Sequence, residues 1–283
     1  MVESEFMKKI HVNSLEPSRE QLNNLIKYYQ TGRYEGAKRL SISITQEFPK
    51  HPFAWKVLGA ALKKIGKINE SLVASQKSVQ LEPKDAEAHY NLGNTLKELG
   101  KLDEAEVSLR QAIKLKPDYV KAHNNLGNIL QEQGRLKEAE ASCRKAIELK
   151  PDLADIHNNL GVILQKQKKL HEACSAYIQA INLNPDFTDA YANLGIVITK
   201  KIRFNSSNVK LYPLLIRLLS TGNFARPKDL APSILSLLKH DPLIKNLLLE
   251  ENFATSLKEA NSIIGSLDKL TLLHHLMRVC PLP

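Results

Sequence analysis

From about residue 18 to residue 203 the apolar positions of this 283-residue chain keep a helical rhythm. Leu92, Gly93 and Leu96 fall on one face at helical spacing, and Leu126, Gly127 and Leu130 repeat the arrangement one period later. The rhythm is punctuated by Pro49, Pro83, Pro117, Pro151 and Pro185, each 34 residues from the next. Each interval predicts two antiparallel helices: a first helix carrying the Leu-Gly pair, a turn with glycine at Gly66, Gly100 or Gly134, and a second helix that stops ahead of proline. Glycine inside a helix costs about 1 kcal/mol relative to alanine. Its recurrence at Gly59, Gly93, Gly127, Gly161 and Gly195 therefore requires close helix approach, for which the second helices supply Ala105 and Ala112, Ala139 and Ala146, then Ala173 and Ala180. One pair cannot cover its own apolar stripe, so neighbouring pairs must stack on one another. The expected fold class is all-α.

Three intervals read HYNLGNTLKELGKLDEAEVSLRQAIKLKP, HNNLGNILQEQGRLKEAEASCRKAIELKP and HNNLGVILQKQKKLHEACSAYIQAINLNP. In period and motif they resemble the tetratricopeptide repeat. That resemblance implies a right-handed α-α superhelix with a concave inner face. It assigns a solenoid to residues 18–203, with pairs at about 18–51, 52–85, 86–119, 120–153 and 154–187 and a partial one at 188–203. The first pair departs from the pattern, having Asn24 and Leu25 where others have Leu-Gly, but it keeps Tyr28, Gly32, Tyr34 and Ala37 and is expected to be an N-terminal cap. Residues 1–17 form an extension. Beyond residue 203 the period fails, residues 204–208 read as a linker, and 204–283 are expected to form an irregular helical module with helices near 209–220, 227–239, 242–249, 255–267 and 270–279. This module resembles the linker helices of bacterial fusions of tetratricopeptide repeats with methyltransferases, which implies a truncated or split relative.

The formal net charge of +10 raises the question of nucleic acid. The excess is spread thinly, its clusters (Lys63, Lys64 and Lys67; Lys166, Lys168 and Lys169; Lys200, Lys201 and Arg203) lie at predicted turns, and no aromatic residues are interleaved as a stacking platform requires. No nucleic-acid partner is expected. The start, MVESEFMKKIHVNSLEP, lacks the apolar core of a secretory signal, and no stretch is apolar and long enough to span a bilayer, so a cytoplasmic protein is expected. Three cysteines without paired spacing suggest neither a disulfide framework nor a metal cage.

The candidate chemistry is a column of amides. Asn91, Asn125, Asn159 and Asn193 occupy equivalent places on successive first helices, with Asn124 and Asn158 beside two of them and Asn94 and Asn128 one turn on. An amide both donates and accepts, so such a column can hold a peptide main chain with little regard to its side chains. A similar ladder lines the inner groove of O-GlcNAc transferase, and that resemblance implies groove contact; the same residues could instead bond to a neighbouring repeat. Tyr90, Lys97, Gln131 and Gln165 are expected to face the same groove. Lys56, Asn91 and Lys121 match three positions of the carboxylate clamp of some family members, while Ala60 and Asn125 depart from it at the other two. His89, His123 and His157 stand where Trp55 and Tyr191 occur in sister pairs, so helix packing is expected rather than metal binding. Cys143 replaces a bulky packing residue and should be buried and inert. No catalytic motif, cofactor site or metal site is legible. The functional expectation is a non-enzymatic scaffold binding an extended peptide or partner helix, with the substrate-recruiting part of a split methyltransferase or glycosyltransferase as the alternative; the sequence leaves the oligomeric state open.

Overall fold

The computed structural model describes residues 16–199, 214–216, 227–238 and 240. The extension up to residue 15, the 204–208 linker, the helices expected at 242–249, 255–267 and 270–279, and all of 209–220 except its helical residues 214–216 lie outside the described residues. The chain divides into two compact units, residues 1–149 and 150–283. Among the described residues every regular element is a helix.

The first unit contains α1 (Arg19–Gln30), α2 (Tyr34–Glu47), α3 (Pro52–Lys64), α4 (Ile68–Leu81), α5 (Ala86–Glu98), α6 (Leu102–Leu115), α7 (Val120–Glu132) and α8 (Leu136–Leu149). Consecutive helices pack antiparallel as pairs, and α1, α3, α5 and α7 also pack each on the next of the set, so these four first helices make one continuous face. Local chemistry starts three of these helices. Ser18 forms a capping box with Gln21, the hydroxyl accepting from the Gln21 amide at 3.1 Å while Gln21 Oε1 accepts from the Ser18 amide at 2.8 Å. Pro52 opens α3, where its missing N–H has no partner to lose, and Asp85 caps α5 by accepting from the Glu87 amide at 2.8 Å.

The glycines of the first helices stand against the second helices. A Cβ built on Gly93 would lie 2.9 Å from Leu109 Cγ, and one on Gly127 would lie 2.6 Å from Cys143 Sγ and 3.3 Å from the Ala139 carbonyl. The alanines thus act through their backbones, which come close because no larger side chain holds them off. Leu109, Ala112, Ile129, Cys143 and Ala146 are fully buried beside these contacts. Each large apolar side chain so buried stabilises the fold by about 1.5–3 kcal/mol. Burial pushes the Cys143 thiol up to about 12, so it is neutral and inert as expected.

The 34-residue period has a further cause that involves no groove. His89 and His123 donate from Nε2 to the carbonyls of Pro83 and Pro117, each at 2.9 Å, and Trp55 donates from Nε1 to Pro49 at 2.9 Å. In every case the ring ties the first turn of a helix to the proline six residues earlier. Ion pairs repeat with the same period: Lys63 meets Glu98 at 3.0 Å and Lys97 meets Glu132 at 3.1 Å.

The second unit contains α9 (Ala154–Lys166), α10 (Leu170–Leu183), α11 (Thr188–Thr199) and α12 (Pro227–Leu238). Gly161 faces Tyr177, whose ring carbons would lie 2.5 Å and 2.6 Å from an added Cβ, and His157 repeats the proline bond at 2.8 Å to Pro151. Helix α12 packs on α11, where Ser233 donates to the Ile198 carbonyl at 2.7 Å, and its Leu230, Ile234 and Leu237 are fully buried.

One turn of the second unit is strained. Gly100 and Gly134 end their first helices at φ +72° and +78°, but the equivalent position between α9 and α10 is Lys168 at φ +64°. A side chain in this left-handed region is disfavoured by roughly 1–2 kcal/mol, offset in part by the extra freedom glycine has in the unfolded chain. Lys168→Gly should therefore raise stability by about 0.5–1 kcal/mol, read as a higher thermal midpoint; an unchanged or lower midpoint would mean that the turn carries no strain.

Candidate functional site

Asn91, Asn94, Asn124, Asn125, Asn128, Asn158, Asn159, Asn193, Tyr90, Lys97, Gln131 and Gln165 are all half-buried, none of them inside the core and none fully exposed. This follows from their place on the first helices, beside but not on the stripe that faces the second helices.

In the first unit the structure brings several of them together. The Asn125 amide donates to Asn94 Oδ1 at 2.6 Å and to the Tyr90 hydroxyl at 3.3 Å, tying α7 to α5. Asn125 thus bonds to the neighbouring repeat, the alternative left open by its periodicity. Asn91 differs: among the described residues its side-chain amide has no hydrogen-bond partner, and it lines a cleft of about 290 Å³ on the first-helix face, whose apolar wall is Ile26, Tyr29, Phe53 and Val57. Lys97 is engaged by Glu132. In the second unit the Asn193 amide donates to Asn158 Oδ1 at 3.1 Å, and Gln165 Oε1 accepts from the buried Tyr177 hydroxyl at 2.9 Å. Asn124 and Asn159 are also engaged.

The cleft has an electrostatic partner that sequence reasoning missed. Lys56 Nζ donates to Asp85 Oδ2 at 2.8 Å and to Glu87 Oε2 at 2.9 Å, and it sits 5.5 Å from the centre of the Phe53 ring. The Lys56 and Asp85 side chains are each 15% exposed, whereas Glu87 is 59% exposed. Burial of Asp85 opposes its ionisation, but the hydrogen bond and charge of Lys56, with the Glu87 and Ala88 amides, hold its carboxyl below the usual range. Burial likewise works against the Lys56 ammonium, and the two carboxylates outweigh it and raise its pKa. A lysine that serves two carboxylates of its own chain is not free to take one from a ligand. Tyrosines surround this acid pair. Burial, and then the charges of Glu87 and Asp85, raise the pKa of Tyr119, and Tyr29 is raised by burial, Tyr34 and Glu87. Tyr119 stacks against Tyr90 with ring centres 5.0 Å apart.

No group of histidine, cysteine or acidic residues able to hold a metal ion occurs among the described residues. No described helix is long and apolar enough to cross a membrane. A wider cleft of about 780 Å³ lies at the α1–α2 turn, lined by Tyr28, Arg33, Tyr34, Arg39 and Ile65 but by none of the asparagines.

Paired helices stacked at a 34-residue period, with a polar first-helix face, define a helical repeat protein. Models of the tetratricopeptide repeat match residues 74–107, 120–153 and 154–187, and a model described as a TPR repeat matches residues 93–134. The chain is a tetratricopeptide-repeat protein. Three solved structures illustrate the likeness in fold. MamA is 24% identical with a TM-score of 0.52, the match covering 56% of this chain and 93% of that one. YrrB, described as a tetratricopeptide protein with an unusual peptide-binding site, is 22% identical with a TM-score of 0.54 over 65% of this chain and 95% of its own. TTC0263 of Thermus thermophilus is 24% identical with a TM-score of 0.52 over 64% and 98%. A search of curated proteins finds no match.

Proposed function

We propose that the protein is a non-catalytic cytoplasmic scaffold that holds an extended peptide of another protein against its first-helix face. The observation that carries this reading is Asn91, a half-buried amide with no partner among the described residues, beside a cleft that opens on the same face. An amide in that state supplies one donor pair and one acceptor to a passing main chain, and the cleft receives the side chain that follows. The peptide-binding site in the description of YrrB is consistent with the reading.

Panning a random peptide library against the parent and against Asn91→Ala and Asn125→Ala variants tests it. Asn91→Ala should leave thermal unfolding unchanged, because no internal bond is lost. Asn125→Ala should cost about 0.5–1 kcal/mol by releasing Asn94 and Tyr90. The double variant should retain peptides about tenfold more weakly than the parent, the equivalent of one or two hydrogen bonds. Equal retention by parent and double variant would reject groove binding.

A further inference from the structure

The cleft beside Asn91 has a definite chemistry. Its volume of about 290 Å³ falls just short of the range of roughly 300–1,000 Å³ seen for small-molecule sites, so it suits one or two side chains better than a cofactor. Tyr29, Phe53, Val57 and the partly exposed Ile26 form its wall, and Gln30, Asn91, Glu87 and Lys56 stand among them as polar groups, while Asp85 lies behind Lys56 and outside the lining. Its charge follows from the pairing of Lys56. One ammonium meets two carboxylates, the more buried of which, Asp85, is also satisfied by backbone amides. Glu87 is thus the carboxylate left with spare capacity, and it is well exposed at the cleft. Lys116, the cation lying 5.3 Å from the centre of the Tyr119 ring, does not line the cleft.

We infer that the cleft reads a two-residue feature in the bound peptide: a bulky apolar side chain seated against Tyr29, Phe53 and Val57, with an adjacent lysine or arginine whose charge meets Glu87. This rests on the peptide-scaffold reading and specifies its ligand. The apolar residue supplies buried area, and the cation supplies the counter-charge that the acid excess lacks. An acidic peptide is disfavoured twice over, since Lys56 is already neutralised and Glu87 repels it.

The test uses the full chain and a random peptide library panned on the parent and on Glu87→Lys and Ile26→Asp, two exposed positions whose substitution leaves the core intact. Thermal melts of all three proteins check folding. The parent should enrich peptides with Lys or Arg beside a bulky apolar residue. One synthetic peptide of that kind should bind Glu87→Lys about five- to tenfold more weakly, as expected when an attractive exposed pair becomes repulsive. Ile26→Asp should lose the apolar preference. Enrichment of acidic peptides, or of peptides indifferent to both substitutions but lost on Asn91→Ala with Asn125→Ala, would overturn the inference and leave the groove reading standing. Retention of no peptide at all would overturn both.

Discussion

Gly127→Leu is expected to lower stability by about 3 kcal/mol, the upper part of the usual overpacking range, and Cys143→Ala in the same molecule should return a large part of it. Even a Cβ at Gly127 would stand 2.6 Å from Cys143 Sγ and 3.3 Å from the Ala139 carbonyl, and Ile129 and Ala146 on the same two helices are fully buried. A leucine must therefore push α7 and α8 apart or unseat Cys143. The first pair carries the opposite arrangement. Leu25 and Ser41 occupy the positions equivalent to Gly127 and Cys143, both are fully buried, and the Ser41 hydroxyl has no partner among the described residues. A large residue on the first helix thus goes with a small one on the second. Alanine at 143 supplies the small partner without burying another unpaired hydroxyl. Urea unfolding of parent, both single variants and the double variant gives the coupling, which should be at least about 1 kcal/mol in favour of the double variant. Additive losses would show that the two positions do not share their space.

That pairing also marks how far the sequence reaches. The helix-turn-helix units, their antiparallel packing and the burial of Cys143 were all legible, because each rests on local spacing: Leu-Gly on the first helix, glycine at the turn, proline after the second helix. Gly127 was legible as a close contact, but not its counterpart, since the alanines named by the sequence contribute a backbone carbonyl and the side chain in contact belongs to Cys143, one turn on. The histidines were expected to pack at helix starts, and they do stand in first turns, yet their acceptors, the carbonyls of the same prolines that mark the period, needed coordinates to be seen. The asparagine column was legible as a repeating position and not as a set of bonds. Asn91 and Asn125 are equivalent in sequence, but only Asn125 has Tyr90 and Asn94 on the preceding first helix to receive its amide. The equivalents of those two residues, Lys56 and Ala60, give Asn91 nothing comparable. Lys56 itself matched a clamp position by type, and its neutralisation depends on Asp85 and Glu87, which lie a whole repeat away and vary between repeats: at their places the next pair has Tyr119 and Lys121.

Lys56→Met is accordingly expected to destabilise the first unit by about 2–3 kcal/mol, somewhat less than the roughly 3–5 kcal/mol of breaking a fully buried pair. The loss arises chiefly at Asp85, whose side chain is 15% exposed and would be left without its cation; Glu87, being 59% exposed, is rehydrated and contributes little. Loss of the ammonium near the Phe53 ring, 5.5 Å from its centre, adds a smaller amount. Adding Asp85→Asn should recover most of the stability. Asparagine still accepts from the Glu87 amide and caps α5, and no charge remains to be stranded. The pH dependence has a definite sign. Asp85 has a lowered pKa in the folded chain, so its contribution is complete above the ordinary aspartate value and is lost as pH falls through the depressed one. Lys56→Met removes the main cause of that depression, so its stability should fall less steeply between neutral and acid pH and the gap to the parent should narrow on acidification. Chemical denaturation across that range measures the gap. A gap that stays constant down to full protonation of the carboxylates would assign the loss to packing of the lysine stem, and recovery that fails in the double variant would do the same.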